Sequence, residues 1–179
     1  AVYDIVICAT GILHQPAYPD IPGRDTFAGA AFHSARWDHS VDLAGKRVGV
    51  IGTGSTACQI VGAIVDTVGE LHVFQRTPHW VAPLPQVAYS ARWNRLLHRL
   101  PFLQRVIYHY YCQLLVRTFS AATIGNQFMQ RLMERICRKH LEDSVPDPVL
   151  RAQLTPDYQA TCKRMIFCSE YYPALCRPQ

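Results

Sequence analysis

A Rossmann-like α/β unit carrying a helical insertion is the fold class this sequence predicts, and three observations carry that expectation. Residues 46–52 form a short apolar run that ends in Gly52-Thr53-Gly54-Ser55-Thr56-Ala57. A helical pattern follows to about residue 68, and a second apolar run at 71–74 completes a strand–turn–helix–strand unit. From residue 88 to 141 the apolar spacing is helical.

Each element has its own justification. Val48, Val50 and Ile51 suit a strand buried on both faces. In the helix that follows, Ala57, Ile60, Val61 and Ile64 are expected to share the inward side. Upstream, Tyr3-Asp4-Ile5-Val6-Ile7-Cys8 reads as a buried strand ending in Ala9-Thr10-Gly11. Pro16, Pro19, Pro22 and Gly23 then make a loop-rich crossing segment.

The insertion carries three stripes. The first is Tyr89, Trp93, Leu96, Leu97 and Leu100. The second is Leu103, Val106, Ile107, Tyr110, Tyr111 and Leu114, opened by Pro101 in a helix-starting position. The third is Phe128, Leu132, Ile136 and Cys137. Such stripes pack helices on a sheet or on each other. Arg92, Arg95, Arg99, Arg105 and Arg117, against almost no acids before Glu134, equally suit a peripheral membrane contact through 88–141. A spanning helix is not expected, because Arg105, His109 and Arg117 interrupt the apolar runs. No closing helix or strand is expected around Tyr171-Tyr172-Pro173. The chain also enters on a strand without an initiator Met, so it is expected to be a piece of a longer one.

With 49% hydrophobic residues in 179, the chain reads as globular. A formal net charge of +5 fits an anionic ligand without requiring nucleic acid, and no RNA-binding motif is present. Seven scattered cysteines without a CxxC pair argue against a disulfide framework and against a zinc site. Reduced thiols in a cytoplasmic protein, with no metal, are the expectation, and the start does not read as a signal peptide.

The glycine turn implies a dinucleotide. Gly52 allows the tight turn, Gly54 lets a pyrophosphate approach the backbone, and the small Ala57 lets helix and strand pack closely. Free N–H groups around Thr53, Gly54, Ser55 and Thr56 would face the phosphates at the positive helix end, and Gln59 belongs to the same expected binding set. A glycine turn serving packing alone is the competing explanation. At the end of the second strand, NAD binders place an acid; here Gln75-Arg76-Thr77 stands instead, 22 residues from Gly54 to Arg76. A guanidinium holds a 2′-phosphate through paired charge-assisted bonds, and Thr77 can add a hydroxyl, so NADPH is expected over NADH.

Upstream lies Phe27-x-Gly29-x-x-x-His33-x-x-x-Trp37-Asp38, with Trp37 fifteen residues before Gly52. On the residues alone, Phe27, Phe32 and Trp37 could pin a linker and His33 could be a hydrogen-bonded structural histidine. The pattern resembles the fingerprint of Baeyer–Villiger monooxygenases, flavoenzymes that use NADPH and oxygen to insert oxygen beside a carbonyl. Cys8-Ala9-Thr10-Gly11 resembles that family's strand end near the flavin, and Val73-Phe74-Gln75-Arg76-Thr77-Pro78 its NADPH strand end. Leu154-Thr155-Pro156-Asp157-Tyr158, then Cys162-Lys163-Arg164 and Tyr171-Tyr172, resembles the segment that brings a catalytic arginine to the flavin.

The resemblance implies FAD and NADPH as cofactors, in a flavoprotein of two dinucleotide-binding domains. Thr10 and Gly11 would lie at the flavin, and Lys163 would help to hold the 2′-phosphate. Arg164 would be catalytic, stabilising oxyanions with a charge it cannot lose, and His33 would act from the inter-domain fingerprint. Without the resemblance, Lys163-Arg164 is a solvated surface pair. Gln159-Ala160-Thr161 departs from the aromatic-glycine turn frequent in the family.

The implied plan is residues 1–11 as the end of a FAD-binding domain, 12–45 as linker, 46–87 as the NADPH-binding unit, 88–142 as helical insertion and 143–179 as the return segment. Missing FAD-domain segments of the same chain would be required partners, with oxygen and a ketone or aldehyde as substrates. An N- or S-oxygenating flavin monooxygenase, disfavoured by Trp37 and Arg164, and a non-catalytic NADPH-binding module are the alternatives.

Overall fold

The computed structural model describes residues 3–9, 11, 13, 15–84 and 88–177. Two compact units emerge, Ala1–Ala44 and Gly45–Gln179. In the first, the described residues hold only two short 3-10 turns, Arg24–Thr26 and Ser34–Arg36. The strand expected at 3–8 is not formed. Ile5, Val6 and Ile7 are exposed, and no described strand ladders with them. An apolar run becomes a strand only when a neighbour takes its N–H and C=O groups, so local sequence is insufficient here.

In the second unit, β1 (Arg47–Ile51) and β2 (Glu70–Phe74) pair in parallel, Arg47 opposite Glu70 and Ile51 opposite Phe74. The crossover is α1 (Ser55–Ile64). This is the expected β–α–β unit. Burial of β1 on both faces is not observed. Val50, Leu71 and Val73 pack against the core, while Ile51 and Phe74 on the opposite face stay more than half exposed. The inward face of α1 is also turned from expectation: Cys58, Val61 and Val65 are buried, whereas Ala57, Ile60 and Ile64 are half-buried. A thiol packs as a small hydrophobe, and desolvation pushes the Cys58 thiol up to about 12.

A second sheet was not anticipated. It pairs β3 (Val81–Ala82) with β4 (Ile166–Phe167) in parallel, joining residues far apart in sequence. The helices between are α2 (Ala91–Arg99), α3 (Pro101–Leu115), a π turn at Val116–Ser120, α4 (Ala121–Thr123) and α5 (Gln127–Ser144). Pro101 starts α3 as expected. Ser90 and Asn126 cap α2 and α5 by accepting from Trp93 and Met129.

The three stripes are only partly buried. Leu97 is buried in α2, and no residue of α3 is, Val106, Tyr110, Tyr111 and Leu114 all being exposed. On α5 the inward residues are Cys137 and Leu141, while Phe128 is 71% exposed and Ile136 is exposed. Among the described residues no helix is long and apolar enough to cross a membrane.

Two further helices also escaped the sequence pattern: α6 (Pro148–Leu154) and α7 (Tyr171–Leu175). Asp147 caps α6 and Pro148 fills its first position, an Asp-Pro start signal legible in the sequence. The absence of a closing helix is therefore corrected. Although short, α7 is held by burial of Tyr171, Tyr172 and Ala174 against a core that includes Cys58, Val61, Leu141 and Val145.

Candidate functional site

The turn after β1 has the geometry a dinucleotide needs. The N–H of Gly52 donates to the Phe74 carbonyl at 3.0 Å, extending the β1–β2 ladder by one bond. Gly52 then turns at φ +107°, a conformation that a side chain strongly disfavours. Gly54 opens α1 as its N-cap and offers no side-chain cap. A Cβ placed on Gly54 would meet nothing within 4 Å, so the space in front of the helix is open. The first-turn N–H groups lack intrahelical partners, and the positive helix end adds to their pull on an anion. Ser55 and Ala57 are half-buried, and Thr56 and Gln59 are exposed.

Thr53 is the one buried polar residue among those described. Its hydroxyl donates to the Thr77 carbonyl at 3.2 Å. That bond ties the glycine turn to the exit of β2. Arg76, just before Thr77, is exposed and makes no hydrogen bond or ion pair among the described residues. Gln75 is anchored, its amide donating to the Gln153 carbonyl at 3.0 Å.

The chain beyond Thr77 receives the return segment. The Tyr158 hydroxyl donates to the Pro78 carbonyl at 3.1 Å and lies 3.3 Å from His79 Nδ1. With its proton given to Pro78, that oxygen accepts from a neutral His79 protonated on Nδ1. The indole N–H of Trp80 donates to the Tyr158 carbonyl at 2.7 Å. The Lys163 ammonium sits 4.3 Å from the centre of the Tyr158 ring. Burial, and next the Lys163 charge, hold the His79 imidazole below its usual range.

Arg164 follows, exposed and without a hydrogen bond or ion pair among the described residues, and the chain then enters β4 through buried Met165. Thr161, in the stretch that departs from the family's aromatic-glycine turn, has φ +72°. Cys162 N–H closes the turn onto the Gln159 carbonyl at 3.2 Å, so Thr161 holds a position suited to glycine.

The fingerprint lies in the first unit. His33 Nδ1 accepts from the Ala35 N–H at 3.0 Å, capping the short turn that follows, which leaves the neutral ring's proton on Nε2. The His33 N–H donates to the Tyr18 hydroxyl at 3.3 Å, and Arg24 lies over the Tyr18 ring. Phe32 and Trp37 meet edge to face at 5.1 Å. A Cβ on Gly29 would come within 2.6 Å of the exposed Phe27 ring, whose far edge would have to shift to admit it. Asp38 accepts from the Ser40 hydroxyl at 2.6 Å and the Ser40 N–H at 2.9 Å, and the hydroxyl chiefly holds its carboxyl below the usual range. Gly11 has φ +72°, and Thr10 lies outside the described residues.

Thr53, Thr77 and, through Tyr158, Lys163 are thus gathered on the exit of β2. Trp80, His79 and the anchoring function of Tyr158 were missed from the sequence, since an isolated aromatic gives no sign of what it will face. Among the described residues no group of three or more His, Cys, Asp or Glu could hold a metal.

Comparison with known proteins is decisive at the family level. The model of the flavin-binding monooxygenase-like family matches residues 1–156. The chain belongs to that family. A Baeyer–Villiger monooxygenase of Streptomyces coelicolor is 48% identical over 179 residues, covering 98% of this chain and 34% of that protein. A Baeyer–Villiger monooxygenase of Pseudomonas aeruginosa is 41% identical over 170 residues, covering 95% of this chain and 32% of its own length. The crystal structure of OTEMO in complex with FAD and NADP superposes with a TM-score of 0.74 at 30% identity, over 94% of this chain and 39% of that one. The Rossmann-like α/β class is therefore shared with solved family members. The chain spans about a third of the length of these relatives.

Proposed function

We propose that this chain is the NADPH-binding portion of a FAD- and NADPH-dependent monooxygenase of Baeyer–Villiger type. On this reading residues 1–11 end the FAD-binding domain and 12–45 form the inter-domain linker. Residues 46–87 make the NADPH-binding unit, 88–142 the helical insertion and 143–179 the return segment. The observation that carries it is the Thr53–Thr77 bond at 3.2 Å, which sets an uncapped, glycine-opened helix end beside Arg76. The open space before Gly54 fits a pyrophosphate, and Arg76 and Lys163, which form no ion pair among the described residues, fit a 2′-phosphate.

Gly52 to Ala57 and Gln59 would bind the pyrophosphate half of the coenzyme. Arg76, Thr77 and Lys163 would select NADPH, while Thr10 and Gly11 would stand at the flavin. When bound, NADPH and FAD supply the hydride and the activation of oxygen, and a ketone or aldehyde is the substrate class. Arg164 would hold its guanidinium against the oxyanion that forms as the carbonyl is attacked. The fingerprint residues Phe27, Gly29, His33, Trp37 and Asp38 would couple the two domains. His33 acts there first as a turn cap, consistent with its bond to Ala35.

The test uses the full-length protein with its flavin. Arg164→Ala should still be reduced by NADPH yet form no ester from a ketone panel. Ester formation at the parent rate would remove Arg164 from the chemistry. A protein that co-purifies without flavin and shows no preference for NADP⁺ over NAD⁺ would remove the whole reading. Exposed Val106, Tyr110, Tyr111 and Leu114 beside a run of arginines keep a peripheral membrane contact within the proposal; co-sedimentation with anionic vesicles tests it.

A further inference from the structure

In the return segment, the Tyr158 hydroxyl bonds to the backbone just past Arg76 and Thr77. We propose that Tyr158 is a positioning residue for coenzyme selection, its ring carrying the Lys163 ammonium and its hydroxyl fixing that ring to the backbone leaving β2. This inference rests on the NADPH reading above.

Three contacts support it, and all converge on residues 78–80. The Tyr158 hydroxyl donates to Pro78, only two residues beyond Arg76. His79 Nδ1 lies 3.3 Å from the same oxygen. The Tyr158 carbonyl accepts from Trp80 at 2.7 Å. Tyr158 is therefore fixed to the β2 exit by side chain and main chain together, across about 80 residues of sequence.

Lys163 is otherwise unconstrained. It is exposed and forms no ion pair among the described residues, although Asp157 lies beside Tyr158 in the chain. A free lysine on a flexible four-carbon stem samples many rotamers, and ordering it for one phosphate opposes binding. A cation resting 4.3 Å from a ring centre is held where the ring is held. Because that ring is bonded to the Pro78 carbonyl, the ammonium is placed relative to Arg76 before any coenzyme arrives. The left-handed Thr161, two residues before Lys163, turns the chain so that the lysine reaches back to Tyr158. Preorganisation of this kind favours the phosphorylated coenzyme alone, since NAD⁺ carries no group at that position.

The experiment is calorimetric titration of NADP⁺ and NAD⁺ into the full-length flavoprotein and its variants. Tyr158→Leu should weaken NADP⁺ by about two- to fivefold, the range of one exposed cation–π contact, with NAD⁺ unchanged. Tyr158→Phe keeps the ring and should lose less. In a Lys163→Ala background Tyr158→Leu should have no further effect on the NADP⁺ to NAD⁺ ratio. Tyr158→Met, of similar bulk without a π face, replaces the leucine variant if that fails to fold. Equal losses for both coenzymes, or a full effect of Tyr158→Leu without Lys163, would overturn the inference. If Arg76→Ala and Lys163→Ala lower the ratio but Tyr158→Leu does not, this inference alone falls. If neither cation variant changes the ratio, the coenzyme reading falls and takes this inference with it.

Discussion

Two neighbouring glycines should fail in opposite ways when each receives a single methyl group. In Gly52→Ala the new Cβ meets nothing within 4 Å, so no clash arises, yet the backbone sits at φ +107°. The whole cost is conformational, about 1–3 kcal/mol for a non-glycine residue held in such a region. In Gly54→Ala the space is equally open, but φ −73° and ψ 176° suit any residue. Alanine is a poorer N-cap than glycine by about 0.5–1 kcal/mol, and it lowers unfolded-chain entropy by a similar amount, about 0.4–1 kcal/mol. These terms offset, leaving stability within about 1 kcal/mol of the parent. Binding behaves differently, because the methyl fills the space a pyrophosphate needs. Thermal unfolding of both full-length variants, followed by calorimetric titration with NADP⁺, separates the two effects. Gly54→Ala should melt like the parent and lose coenzyme by at least about tenfold, the loss of one charge-assisted contact or more. A Gly54→Ala protein that bound NADP⁺ with parent affinity would refute the phosphate-turn argument. A Gly52→Ala protein as stable as the parent would refute the strain argument.

Arg76→Ala should raise the KM for NADPH by about tenfold or more and leave that for NADH within about twofold, since only the 2′-phosphate loses paired bonds; equal effects in steady-state kinetics would contradict it. The Tyr171 hydroxyl is buried without a hydrogen-bond partner among the described residues. Tyr171→Phe should therefore match or exceed the parent in denaturant titration, by up to about 1 kcal/mol, and a clear loss would reveal a partner. Leu141 is 1% exposed at the centre of the core, so Leu141→Ala should cost about 2–5 kcal/mol in the same titration. Burial holds the His140 imidazole below its usual range, against smaller opposing effects of the Cys168 main chain and Asp143. The unfolded chain then binds the proton more readily, so its contribution is complete above about pH 6.5 and is lost as pH falls through the lower folded value. His140→Gln should flatten the stability slope between about pH 7.5 and pH 5.5, and an unchanged slope would exclude His140 as its source.

What was legible in the sequence was local. Gly52 announces a turn because few other residues accept its backbone at φ +107°, and the apolar run of Val48, Val50 and Ile51 announces a strand. The Pro101 start of α3 and the Asp147-Pro148 start of α6 are equally local, although only the first was exploited. Phe27 and Gly29 illustrate the next step up: the spacing is visible in the sequence, but the close approach of the ring edge to Gly29 is visible only in space.

Everything decided by distant partners needed the tertiary structure. Residues 5–7 are as apolar as any strand and still form none, because described neighbours to complete a ladder are lacking. Cys58, rather than Ala57, faces the core because α7 packs on that side of α1. The β3–β4 pairing and the bond from the Tyr158 hydroxyl to the Pro78 carbonyl join segments some 80 residues apart. Backbone geometry and side-chain period are properties of a few adjacent residues and are therefore written in the chain. Where the Tyr158 ring is anchored depends on a loop closing over a long separation, and only the folded core makes that choice.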